Sequence, residues 1–229
     1  MRLIIILLLL GSRAALSQDE TSKKLIGSWS IEEEGIITHL IVAEGYFSIS
    51  EYTTTEFLRT YGGSWDINAS GWLVLGMEFD SKNPDMVKKI VNKPFEIVDE
   101  NLTLDKKVWK RVDDGSPGQL GGAWYISARM RNGEMRERKL GSRITMKILS
   151  GARFQWIAYN IDTTEFLGTG GGTYTSEDGV YTENIEFFSR NQDRVGASLK
   201  FKFDLKDGNW HHSGKSSKGT DIYEVWSLR

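Results

Sequence analysis

Along most of this chain, apolar and polar residues alternate in short runs. Phe201-Lys202-Phe203-Asp204-Leu205 is the clearest, and it runs into Asp207-Gly208-Asn209, a hairpin signal. A period of two belongs to strands with one buried face. Many such runs, split by glycine-containing turns, predict an all-β chain whose antiparallel strands close into barrels. One helix candidate interrupts the pattern, Asn83-Pro84-Asp85-Met86-Val87-Lys88-Lys89-Ile90, with proline where a helix would start. Its counterpart later in the chain, Arg194-Val195-Gly196-Ala197-Ser198-Leu199, reads instead as the entrance to a strand.

The first residues follow a different rule. Arg2 precedes an unbroken apolar run from Leu3 to Leu10, and Ala15-Leu16-Ser17 follows with small residues where a signal peptidase reads. The run is far shorter than the roughly 20 residues that span a bilayer. We therefore expect a signal peptide over residues 1–17, cleaved before Gln18, and a secreted or periplasmic protein that does not span the membrane. The chain has no cysteine, which removes both a lipid anchor and any disulfide framework, so packing alone must hold the fold.

Internal self-similarity sets the domain organisation. Leu25-Ile26-Gly27-Ser28-Trp29-Ser30-Ile31 returns as Leu120-Gly121-Gly122-Ala123-Trp124-Tyr125-Ile126. Thr54-Thr55-Glu56-Phe57-Leu58 returns as Thr163-Thr164-Glu165-Phe166-Leu167, and Met77-Glu78-Phe79 matches Ile185-Glu186-Phe187. Each copy ends on Val-Trp and a basic residue, at Val108-Trp109-Lys110-Arg111 and Val225-Trp226-Ser227-Leu228-Arg229. These matches predict two tandem barrels, residues 18–113 and 118–229, joined by a turn-rich linker at 114–117. Eight Trp and 24 Gly suit aromatic-rich strands and tight turns.

Gly-x-Trp on a first strand with a basic residue on the last resembles the lipocalin (calycin) signature. The resemblance implies that Trp29 and Trp124 plug one end of each barrel, with Arg111 and Arg229 packed across their rings. A closer resemblance is to bacterial exported proteins of unknown function, often labelled only "membrane or secreted protein". It is carried by Arg153-Phe154-Gln155-Trp156-Ile157-Ala158-Tyr159-Asn160, Gly170-Gly171-Gly172-Thr173-Tyr174 and the stretch Tyr181–Arg190. That group implies lipocalin-like barrels but no established activity.

The two copies differ in ways that point to chemistry. Their charges are opposite: residues 18–113 carry 11 Lys and Arg against 17 Asp and Glu, whereas residues 118–229 carry 16 against 13. Aligning Gly71 with Gly179 sets Leu73, Leu75, Met77 and Phe79 against Tyr181, Glu183, Ile185 and Phe187 on one face. If that face is the interior, Tyr181 and Glu183 point inward, and the carboxylate needs a partner, a proton or a wet cavity. If the faces are inverted, Glu183 is simply solvated. By the same alignment Trp210 and His212 take the places of Leu102 and Leu104, while His211 faces out.

A dense basic stretch, with Arg129, Arg131, Arg136, Arg138, Lys139, Arg143 and Lys147, should form the second strand and its flanking loops at a barrel mouth. It reads as an anion-attracting cluster or as a solvated hairpin. Gly168-Thr169-Gly170-Gly171-Gly172 has no helix pattern after it, so it is a bulged strand and not a dinucleotide fingerprint.

The candidate ligand-binding set is Tyr181, Glu183, His212, Trp156 and Arg143. The functional expectation is an exported protein binding a small polar or amphipathic ligand in its C-terminal barrel. Two alternatives stay open. One is a glycan-directed lyase, isomerase or hydrolase using Glu183 with His212 or Tyr181, and the other is an interaction module with filled barrels. No cofactor or metal is expected, since two of the three histidines cannot reach one site. No basic stretch interleaves with stacking aromatics, so nucleic acid is not an expected partner.

Overall fold

The computed structural model describes residues 18–116, 118–215 and 219–229, so the predicted signal peptide and Pro117 of the predicted linker lie outside the described residues. Residues 18–25 form a helix that the alternation pattern does not signal. It seats Leu25 in the core, and the Leu25 carbonyl accepts the Trp29 indole N–H at 3.0 Å. The expected helix over 83–90 shrinks to a single 3₁₀ turn, Pro84–Met86, and the second copy repeats it at Gln192–Arg194.

The first sheet runs β1 (Gly27–Glu33), β2 (Ile36–Ala43), β3 (Tyr46–Tyr52), β4 (Phe57–Ile67) and β5 (Leu73–Asp80). It continues as β6 (Ile90–Lys93), β7 (Phe95–Val98), β8 (Asn101–Leu104) and β9 (Lys107–Asp113). Its order, β6-β5-β4-β3-β2-β1-β9-β8-β7, is an almost closed antiparallel barrel whose seam lies between β6 and β7. Pro94 joins those two edges; it has no N–H to donate to a ladder.

The second sheet holds β10 (Gly122–Arg131), β11 (Glu134–Glu137), β12 (Arg143–Leu149), β13 (Arg153–Asn160) and β14 (Glu165–Glu177). β15 (Val180–Phe188), β16 (Ser198–Lys206), β17 (Asn209–Lys215) and β18 (Asp221–Leu228) complete it, and β18 pairs with β10 to close the barrel. The protein is all-β, with two antiparallel barrels.

A bulge in the same place in both copies changes which side chains face in. Leu73, Leu75 and Met77 enter the first core, and Tyr181 and Ile185 enter the second. The ladder then slips between Gly62 and Gly63, and between Gly171 and Gly172, opposite Glu78 and Glu186. Gly63 and Gly172 both sit at φ +158, where a Cβ would strike the carbonyl oxygens of Gly76 and Asn184. Past the slip, Phe79 and Phe187 leave the barrel interiors, which corrects the expectation that all four aligned positions share one face.

Those displaced residues build the contact between barrels, and they do so with two-fold pseudo-symmetry. Phe187 packs on Tyr52 of the first barrel at 4.7 Å between rings, and Phe79 packs on Tyr159 of the second at 5.0 Å. The equivalent residues Phe57 and Phe166 stack on each other at 6.3 Å, as residues on a two-fold axis would. The bulge carboxylates follow the same pattern in their tyrosine contacts, although both arginines come from the second barrel. Glu186 accepts from the Tyr52 hydroxyl at 2.7 Å and from Arg153 at 2.6 and 2.9 Å. Glu78 accepts from the Tyr159 hydroxyl and from Arg229 at 2.7 Å.

The expected linker is pinned at its start: the Asp113 carboxylate accepts from Ser28, Ser150 and the backbone N–H groups of Gly115, Gly151 and Ala152.

The two Trp–Arg pairs do not match. Arg111 lies 4.0 Å above the Trp29 ring, whereas the Arg229 guanidinium lies over Tyr46, 4.4 Å away, and joins Glu78. The register explains the difference. Trp29 faces Arg111 across the ladder, but Trp124 faces Leu228, so Arg229 is one residue too late and points into the contact between barrels.

His39 is buried in that contact, stacked on Tyr52 at 5.9 Å. Burial, and next the Arg153 guanidinium, push its pKa down from 6.5 to about 4. The unfolded chain protonates this imidazole below about pH 6.5, the folded one only near pH 4. Stability is therefore fully present above 6.5 and falls as pH drops toward 4, by up to about 3 kcal/mol from this group. We expect His39→Phe to flatten the fall of the urea midpoint between those pH values; an unchanged slope would refute the assignment.

Candidate functional site

The repeat lets each interior position of one barrel be compared with its twin. Trp29 pairs with Leu40 where Trp124 pairs with Lys147. Trp65 pairs with Leu75 where Tyr174 pairs with Glu183, and Ile67 with Leu73 where Ser176 pairs with Tyr181. Leu102 and Leu104 on β8 correspond to Trp210 and His212 on β17. Five leucines of the first barrel are thus Lys147, Tyr181, Glu183, Trp210 and His212 in the second. The consequence is visible in the cavities. The first barrel retains a void of about 20 Å³ among Leu40, Phe47, Ile49, Leu75 and their neighbours. The second opens into a cavity of about 830 Å³.

The Lys147 ammonium sits at the floor of that cavity, 2.5 Å from Glu183 Oε1, with both side chains over nine-tenths buried. It also lies 4.9 Å from the Tyr181 ring centre, 5.0 Å from Trp210 and 5.3 Å from Trp226. A counter-ion and an aromatic cage together offset the cost of taking the ammonium out of water. Beside this pair, Glu224 lies 3.4 Å from Arg129 Nε. His212 Nδ1 is 3.6 Å from Glu224 Oε2, beyond hydrogen-bond reach. Burial, then the Lys147 charge, lowers the His212 pKa, so its imidazole is neutral at pH 7. Burial raises Glu224, but the Lys147 and Arg129 charges beside it draw its carboxyl below the usual carboxylate range. Burial, then Glu183, drives Tyr181 well above its usual value; its hydroxyl faces Glu183 without hydrogen-bond geometry.

The wall and mouth are different in kind. Phe154, Trp156, Ile185 and Leu199 line the wall with Phe188, which the bulge turns inward to stack on Trp156 at 6.2 Å. The glycines at 170 and 171 make room for Phe188 and Phe187, since a Cβ there would strike their rings. Arg190 lies 5.4 Å over Trp156, held by two bonds to the Leu167 carbonyl. At the mouth, Arg131, Arg138 and Arg143 make no ion pair with a described residue, and the Arg136 side chain reaches only Glu134 at 3.9 Å. The basic stretch is therefore part of the cavity rim. It forms the end of β10, the β11 hairpin and the start of β12, where a single second strand was expected.

Of the five expected ligand residues, Glu183, Trp156 and Arg143 line the cavity. Tyr181 and His212 lie beneath it, in the aromatic layer around Lys147. Glu183 and His212 both face inward, but Glu183 is paired to Lys147 and the carboxylate beside His212 is Glu224. His211 faces outward, 2.8 Å from the Tyr223 hydroxyl. Among the described residues no group of three or more His, Asp or Glu could hold a metal. No described helix is long and apolar enough to cross a membrane.

Sequence reading missed Lys147 as the partner of Glu183, and it missed Glu224. The β10–β11 hairpin and the loop into β12 are longer than their β1–β2 counterpart, and the added residues break the spacing that would have set Lys147 opposite Leu40.

Fold and site define an all-β protein of two unequal barrels, one filled and one hollow with a cationic mouth. Residues 119–227, most of the hollow barrel, match the family described as "Domain of unknown function (DUF4488)". No curated protein matches the chain.

Proposed function

We propose that this is an exported, lipocalin-like binding protein whose C-terminal barrel holds a small polar or amphipathic ligand, the N-terminal barrel serving as its structural partner. One observation carries the reading: the same fold is filled in one copy and hollow in the other. At about 830 Å³ the hollow is of the size that binds small molecules, roughly 300–1,000 Å³. Its replacement of leucines by buried charged and polar groups opposes stability, which favours a role in recognition. The apolar run at Leu3–Leu10 and the likeness to bacterial exported proteins support export. The geometry favours binding over acid–base catalysis through Glu183, because Lys147 occupies that carboxylate.

Native mass spectrometry of the full chain purified from its own host tests the proposal. We expect a retained mass that is lost, or reduced about tenfold, in Trp156→Ala and Arg143→Ala. A bare wild-type mass, together with no change in tryptophan fluorescence across a small-molecule library, would overturn it.

A further inference from the structure

We infer that the ligand is a small acidic saccharide, a polyhydroxylated ring bearing a carboxylate or sulfate. This rests on the reading of the hollow barrel as a small-molecule site, and three zones of the cavity carry it. At the floor, Lys147 beside Glu183 and Arg129 beside Glu224 set strong donors next to strong acceptors, all lining the cavity. A hydroxyl both donates and accepts, so neighbouring hydroxyls on one ring match such a floor. An alkyl chain in that place would cover four charged groups with hydrocarbon, at high cost.

The wall asks for something apolar and flat. Trp156 and Phe188, with Phe154 and Leu199, offer aromatic and aliphatic surface at mid-depth, which the C–H face of a sugar ring covers and an inorganic anion does not. The rim sets the charge: Arg131, Arg138 and Arg143 face the opening without ion pairs to described residues. Guanidinium groups gathered there favour a carboxylate or sulfate at the outer end of the ligand. A neutral sugar would satisfy floor and wall but leave the rim uncompensated; a fatty acid would satisfy rim and wall but lay hydrocarbon against the charged floor.

Calorimetric titration of the full chain tests this, with trigalacturonate and a chondroitin 4-sulfate disaccharide as acidic probes. Maltotriose, laurate and adenosine monophosphate are the comparators. We expect at least one acidic saccharide to bind, maltotriose to bind at least about tenfold more weakly, and Arg143→Ala to weaken the acidic probe about tenfold. Affinity should fall as salt rises. Binding of laurate or the nucleotide in preference, with the same dependence on Arg143, would overturn the saccharide class while leaving the binding role standing. No binding by either acidic probe at millimolar concentration would also overturn it. The host-purified chain then decides separately whether the barrel carries a ligand at all.

Discussion

Replacing Lys147 by leucine should cost the fold about 3–5 kcal/mol, and adding Glu183→Leu should return most of that loss. The single change leaves a carboxylate buried at the cavity floor with its counter-ion gone, because Lys147 Nζ and Glu183 Oε1 stand 2.5 Å apart with little solvent access. The double change removes both charges and recreates the Leu40 and Leu75 pair that the first barrel uses at the same two positions. Urea unfolding followed by tryptophan fluorescence reads both steps. A single variant within about 1 kcal/mol of wild type, or a double variant no better than the single, would contradict the arrangement. Under the proposed binding role the double variant should also lose any retained ligand mass, since it converts the hollow barrel toward the filled one.

Phe187→Ala should destabilise the protein by about 3–5 kcal/mol and separate its unfolding into two transitions. The ring is 2 % exposed and packs on Tyr52 and Phe57 of the other barrel at 4.7 and 6.1 Å. Removing it opens a cavity in the contact that makes the two barrels unfold together, while neither interior loses a side chain. Phe79→Ala should behave in the same way, because it occupies the pseudo-symmetric place against Tyr159. Differential scanning calorimetry distinguishes one transition from two. A loss of stability with a single sharp transition retained would mean that the Glu78–Arg229 ion pair and the Tyr52–Glu186 hydrogen bond couple the barrels without the aromatic contacts.

Much of this was legible in the order of residues. The two-residue period gives strands, and the repeated Gly-x-Trp and Thr-Thr-Glu-Phe-Leu stretches give two copies. The comparison of Leu75 with Glu183 put Tyr181, Glu183 and Ile185 on one face, because pleating sends alternate side chains to the same side; that this face is the interior was one of two open readings. Errors arose where one residue changes the parity. The slips at Gly63 and Gly172 send Phe79 and Phe187 out and bring Phe188 in. The offset at the end of β18 places Leu228 opposite Trp124 and sends Arg229 to Tyr46 and Glu78. The missing partner of Glu183 is a distance effect: Lys147 lies 36 residues away in sequence and meets it only across the barrel.

By itself, then, the sequence determined the all-β class, the duplication and four of the five leucine positions that change character in the second copy. These follow from local periodicity and from matching one half of the chain to the other. Tertiary structure alone decided that Lys147 neutralises Glu183 inside an aromatic cage, that the arginines from Arg131 to Arg143 rim a cavity, and that the bulge residues join the barrels. Side chains distant in the chain become neighbours only when a curved sheet closes on itself. The bulges and register that set that closure depend on single residues whose effect is invisible until the strands pair.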